Sequence, residues 1–358
     1  MQTFKRISKA VMVLCVLFTL SGCWDNIDIN HRMLPISMAI SKVDEGYKVF
    51  LQIPVPSENE MGIRAISATG KTIDHALDKL SMNIEKKVDL PHVKIIIFDK
   101  SLAQKGLKDI ITNFMRSQDI SPKAIVVICD EDLSSFFANT IKNKDPSGLN
   151  IYEFFEKNAG WNPQIALTRV WEVYRSVHSY TRDTNVSIIK SGKDTAIEHT
   201  GSAILRNGKM VARINSDETL LVNAFKGQSA QGKVEWGSHV SALIVNEKLR
   251  NKSSLVNNRP YMKSVMKLKV VVLETMGDPT PEEIQKELET ILTEHFNRMF
   301  KKIQASEADI LGVGQEFRIL IPRKELENWR TDYYPHLKMD FSVQVEIENE
   351  GNLYIDPH

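Results

Sequence analysis

Between residues 47 and 53 the apolar side chains alternate: Tyr47, Val49, Leu51 and Ile53 stand against polar Lys48 and Gln52. That period of two predicts a strand with one more solvated face, stopped by Pro54 and Pro56. The period then lengthens, with Ile73, Leu77, Leu80 and Ile84 at helical spacing in a segment opened by Thr72. Residues 93–98 form a short, nearly all-apolar run rich in β-branched side chains, as a strand covered on both faces requires. Leu107, Ile110, Ile111 and Phe114 mark a second amphipathic helix, and residues 124–129 a second buried strand. Strand and helix in alternation predict an α/β layout for this part of the chain.

Residues 131–190 are less regular, with clusters at Phe136-Phe137 and Tyr152-Phe154-Phe155 and a helix-spaced set of Leu167, Val170, Trp171, Tyr174 and Val177 that completes the first domain. Asn207-Gly208 separates two short apolar runs and predicts a two-residue hairpin, since both turn positions need positive φ. Asn215 with Glu218 three residues on is a capping box ahead of Leu220, Leu221, Ala224 and Phe225. Residues 265–273 are a strand candidate, and Thr280-Pro281-Glu282-Glu283 combines a capping box with proline at the first helical position. Ile284, Leu288, Ile291, Leu292, His295, Met299 and Ile303 then mark one face of a long helix. Last, Leu337, Met339, Phe341, Val343, Val345 and Ile347 alternate with polar residues, predicting a long half-buried strand.

The one strongly apolar run, residues 10–20, follows Lys5, Arg6 and Lys9 and ends in Leu20-Ser21-Gly22-Cys23. This is an export signal closed by an aliphatic residue, two small residues and cysteine, the pattern of a lipoprotein processing site. The run's eleven positions, all apolar but Thr19, are about half the roughly 20 that a membrane-spanning helix needs. Cys23 is the candidate lipidation site, as an S-diacylglycerol cysteine that N-acylation can supplement, because two or more acyl chains give durable anchoring where one does not. A plain signal peptide cleaved near Gly22, or a short uncleaved anchor, would leave Cys23 incidental. Loss of residues 1–22 removes three of the 46 basic residues and leaves 43 against 45 acidic ones. A near-neutral balance offers no electrostatic footprint for nucleic acid. Cys15 leaves with the signal, so Cys129 is the one remaining thiol, and its place at the end of an apolar run predicts a buried, inert one.

The expected organisation is a signal peptide (1–22), an N-terminal α/β domain (23–194), a small middle α/β domain (195–262) and a C-terminal α+β domain with the long helix and long strand (263–358). The fold class is thus mixed α/β and α+β, a three-domain ectodomain with mixed sheets and packed helices. Nucleophile elbow, HExxH, phosphate loop and dense His/Cys/Asp clusters are absent from the sequence. Asp74-His75 and Pro91-His92 lie at predicted element edges and Gly312-Val313-Gly314 reads as a turn; Asp44-Glu45, Glu282-Glu283 and Asp183 could each join a carboxylate pair in space, but nothing local raises that above a solvated face. No enzyme activity, cofactor or metal is expected.

From the lipobox onward the chain resembles the Ger(x)C family, the lipoprotein C subunits of nutrient germinant receptors in endospore-forming bacteria. Gly22-Cys23-Trp24-Asp25 carries the strongest likeness, followed by Ile27-Asp28-Ile29-Asn30. Gly70-Lys71-Thr72-Ile73, Pro91-His92-Val93-Lys94, Gly201-Ser202-Ala203-Ile204, Asp309-Ile310-Leu311-Gly312 and the terminal strand follow in the family's order, whereas 131–190 and 226–262 hold no landmark. The resemblance implies a non-enzymatic protein held by lipid on Cys23 at the outer face of the spore's inner membrane. It also implies work with two membrane-embedded partners, the A and B subunits, and no direct binding of the small-molecule germinant. The alternatives are a solute-binding lipoprotein of a nutrient transporter, which predicts two similar lobes around a cleft, and a lipid-anchored envelope hydrolase.

Overall fold

The computed structural model describes residues 31–349 apart from 57–60, 118, 143–150, 156–161, 229–231, 237–239 and 278; Cys23 and the lipobox lie outside the described residues. The described strands are β1 (Arg32–Met33), β2 (Ser37–Val43), β3 (Gly46–Pro56), β4 (Met61–Gly70), β5 (Lys87–Val88), β6 (Ile95–Asp99), β7 (Ile125–Cys129), β8 (Thr184–Ser191), β9 (Ile197–Arg206), β10 (Lys209–Ile214), β11 (Gly232–Trp236), β12 (Val240–Val256), β13 (Arg259–Thr275) and β14 (Lys338–Asn349).

Eight of them build one sheet in the order β10-β9-β8-β7-β6-β2-β3-β4, with β2, β6, β7 and β8 mutually parallel and an antiparallel pair on each side. The apolar runs predicted as buried strands form its centre, and both of their faces are covered. Ile96, Phe98, Val126 and Ile128 pack with the helices Ile73–Met82, Lys108–Ser117 and Val170–Val177. Ile95, Ile97, Val127 and Cys129 face the other way, toward Phe136 and Phe155 of the helices Leu133–Lys142 and Ile151–Phe155. This is why no alternation shows in those runs: successive side chains enter two different cores.

The second sheet, β11-β12-β13-β14, is dominated by a hairpin of two 17-residue strands. Its turn, Asn257-Asn258, has φ of 51° and 61°, the twist a two-residue hairpin needs. The helix Pro281–Ala305 crosses from β13 to the parallel strand β14, whose outer edge it protects. Thr293 Oγ1 accepts from Val343 N (3.1 Å) and Glu289 Oε1 from Val345 N (2.9 Å), which occupies donors that an open edge strand would offer to another chain. The buried face of this helix is Ile284, Leu288, Leu292, Phe296, Met299, Phe300 and Ile303, with Ile291 and His295 only half-buried. The aromatic pair Phe296 and Phe300, rather than His295, completes the stripe.

Both predicted capping boxes form, at Asn215/Glu218 and Thr280/Glu283, and Thr72 caps its helix from the hydroxyl. Asn207-Gly208 turns with φ of 49° and 78°. The sheets, however, group the chain differently from the expected domains. A division at 194/195 falls between β8 and β9, hydrogen-bonded neighbours in one sheet, and a division at 262/263 falls inside β13. Ile204 and Ile214 of β9 and β10 also enter the core of the second sheet, with Leu220 and Phe225 of the helix Ser216–Phe225. Local periodicity predicts a strand but not the sheet that receives it.

Candidate functional site

The two sheets meet at the segment that leads into β8 and at the irregular stretch after the helix Pro281–Ala305. Asp183, one residue before β8, is fully buried in its side chain. Arg330 donates to it through Nε (2.8 Å to Oδ2) and Nη2 (2.9 Å to Oδ1), a two-pronged pair. Asn207 N and Asp309 N donate to the same carboxylate at 2.9 and 3.0 Å, and Asp183 N returns a bond to Asp309 O at 2.8 Å. Asp183 was expected on a solvated face; the structure instead brings it beside Asp309 as a buried carboxylate pair, because its partners lie 24 to 147 residues away in sequence.

Asp309 accepts from Val313 N (3.0 Å), Gly314 N (2.7 Å) and Trp329 Nε1 (3.0 Å). Burial pushes its carboxyl up to about 6, and the neighbouring Asp183 charge adds to the rise, while the three donors pull the other way. Gly312-Val313-Gly314 is a turn, with Gly312 at φ 70°. A Cβ on Gly314 would stand 2.6 Å from the Trp329 ring, so glycine is what lets backbone and indole pack. Gln315 closes the joint by donating to Thr181 Oγ1 at 2.6 Å, and Arg206 pairs with Glu307 at its rim.

Beside this joint runs a cleft of about 670 Å³, lined among others by Arg175, Tyr180, Arg182, Arg318, Arg323 and Glu327. Among the described residues none of the four arginines forms an ion pair. Burial, then the neighbouring Arg175 charge, lowers the affinity of Arg182 for its proton. A second, smaller cleft of about 270 Å³ shares Arg175 and Arg182 and adds Lys226, whose amine burial pushes down to about 8 and which donates to Asn185 Oδ1 at 2.9 Å. Sequence reasoning found none of these cations, since each sits in a different local pattern.

The remaining candidates lie apart from this junction. His75 is exposed in the first turn of its helix, and His92 is more than half exposed with Nε2 3.8 Å from Asp89. Cys129 is buried, and burial pushes its thiol up to about 12, so it is no nucleophile at neutral pH. Among the described residues no group of three His, Cys, Asp or Glu side chains could hold a metal ion, and no helix is long and apolar enough to cross a membrane.

Two family models cover most of the chain: "Spore germination protein N-terminal domain" over residues 25–191 and "Spore germination B3/GerAC like, C-terminal" over residues 200–351. Their division falls at the β8–β9 connection that the first sheet spans. Similar proteins include spore germination protein GerQC of Bacillus cereus, 23% identical over 80% of this chain and 82% of that protein. Spore germination protein KC of Bacillus subtilis is 21% identical over 96% of this chain and 95% of that protein. The crystal structure of the GerBC protein superposes with a TM-score of 0.59 at 16% identity, covering 87% of this chain and 97% of that one, a shared fold.

Proposed function

The chain belongs to the GerAC-like family of spore germination proteins, and from that membership we propose that it is the lipid-anchored, non-catalytic C subunit of a nutrient germinant receptor. The observation that carries the reading is Leu20-Ser21-Gly22-Cys23, which stands two residues before the matched region begins. Diacylated at Cys23, the protein lies on the outer face of the spore's inner membrane. Confinement to that thin layer raises its effective concentration toward the membrane-embedded A and B subunits without any new contact. The germinant itself is taken elsewhere in the complex. The Asp183–Arg330 and Asp309 networks support this division of labour, because their polar atoms are engaged in joining two sheets, which suits a rigid assembly part.

The test uses spores lacking the gene, complemented with the native form or with Cys23→Ala, and exposed either to nutrients or to a trigger that bypasses nutrient receptors. Loss of the nutrient response alone, restored by the native form and poorly by Cys23→Ala, is the expected result. Full rescue by Cys23→Ala would sink the anchor. An unchanged nutrient response after related receptors are also deleted would sink the receptor role.

A further inference from the structure

Phe317 and Ile321 are buried, at 0% and 3% exposure, and between them the chain turns outward so that Ile319 is 91% and Leu320 37% exposed. A single exposed isoleucine needs no explanation. This one is bracketed by exposed Arg318, Arg323 and Lys324 and stands before the arginine cleft, where Glu327 is the one lining carboxylate. Exposed Glu316, Glu325 and Glu327 lie in the same stretch, so the positive excess comes from the cleft, where four arginines face one carboxylate. An apolar tip beside such an excess matches the boundary between lipid headgroups and acyl chains, and a guanidinium fork matches a phosphate.

Topology places this surface toward the anchored end of the molecule. Ser37 pairs with Ile95, Ile95 with Ile125, and Val127 with Ser187, so the parallel strands begin at one end of the sheet. Residues 31–36, which lead into β2, enter there, and so does the segment through Tyr180 and Arg182 that leads into β8. Gln315 ties the turn to that end, donating to Thr181 and accepting from Arg318. From Cys23 to His31 is eight residues, which reach at most roughly 28 Å.

We propose that residues 318–324 and the arginine cleft behind them dock on an anionic phospholipid surface, with headgroup phosphates against Arg182, Arg318 and Arg323 and with Ile319 and Leu320 in the interfacial layer. The protein then meets the bilayer at two points, the acylated Cys23 and this turn, which fixes its orientation. The inference rests on the anchored reading for its geometry.

The experiment puts a polarity-sensitive fluorophore on Ile319→Cys, in the full chain reconstituted in phosphatidylglycerol-containing vesicles. Glu45→Cys, in the turn at the opposite end of the sheet, is the control; buried Cys129 does not compete for label, and peptide mapping separates probe on 319 from probe on any unlipidated Cys23. The expected result is a blue-shifted emission at 319, quenched by nitroxide-bearing lipid, with the 45 probe unaffected. The shift should fade in pure phosphatidylcholine, and Arg318→Gln with Arg323→Gln should weaken docking by about fivefold per arginine. A water-exposed probe at 319 in anionic vesicles overturns the proposal, as does equal quenching in phosphatidylcholine. Displacement of nothing but inorganic phosphate from the cleft, with the 319 probe in water, makes it a soluble-anion site and overturns it too. Mass spectrometry of the same preparation separates the two readings. Lipid on Cys23 with an exposed 319 probe ends the docking and leaves the anchor, whereas a quenched 319 probe without that lipid ends the anchor and leaves the docking.

Discussion

Arg182 and Asp183 are neighbours in sequence and opposites in circumstance. Asp183 has every lone-pair direction met by Arg330, Asn207 and Asp309, whereas Arg182 faces a cleft with other arginines and no ion pair among the described residues. The contrast between Arg330 and Arg182 is sharper still, since the two side chains are chemically identical. Arg330 is 15% exposed and engaged by a buried carboxylate; Arg182 lies against Gly312 and feels the Asp309 and Glu172 charges only at a distance, with no ion pair among the described residues. A charge completed inside the fold serves the fold, and a charge left incomplete at a cleft is available to something outside it.

Asp183→Ala carries the largest expected effect. It leaves Arg330 buried without its partner, and the expected cost is about 3–5 kcal/mol, read as a drop in thermal midpoint. A loss under about 1 kcal/mol would mean that the joint is solvated in solution.

Next comes the pH dependence of Asp309. Its carboxyl holds a proton up to about 6 in the fold, against about 4 in an unfolded chain. The folded state therefore binds more protons between those values. This group's contribution to stability is greatest below about pH 4, declines as pH rises to 6, and is flat above that. The decline amounts to roughly 2–3 kcal/mol. Asp309→Asn abolishes the titration, so the stability of the native protein relative to the variant should fall between pH 4 and 6. A constant difference across that range would place the carboxyl in water or fully compensate it.

Gly314→Ala drives a methyl into Trp329 and should cost about 1–3 kcal/mol, visible as a changed tryptophan emission together with a lowered midpoint. The smallest effect belongs to the other side of the comparison. Arg318→Gln and Arg323→Gln remove charges that form no ion pair among the described residues, Arg318 giving up only its bond to Gln315 Oε1, and unfolding free energies should move by no more than about 0.5 kcal/mol each. A large loss there would show that the cleft arginines are structural after all.

Much of the architecture is legible in the sequence. The buried strands at 95–99 and 125–129, the caps at Thr72, Asn215 and Thr280, the Asn207-Gly208 turn and the terminal strand each announce themselves within a few residues, because period and capping are local properties. The hairpin of β12 and β13 is only half legible: β13 has a clear apolar alternation, whereas β12 carries an extra residue at Val245 and its pairing with β13 also shifts register at Ser241/Ala242, where Leu273 is the extra residue. Asn257-Asn258 was the signal that could have found it. His295 was assigned to the helix face on spacing, and the aromatic core chose Phe296 and Phe300 instead.

The central strands, the capped helices and the family are readable along the chain, and Cys23 is where the proposed anchor would be built, since caps, a signal and a lipoprotein processing site are linear strings. Packing alone buries Asp183, sets Asp309 beside it and brings four arginines from two distant segments to one cleft. Those properties depend on the dielectric and the partners around each group, and here the partners come from up to 147 residues away. No window along the chain contains both members of such a pair.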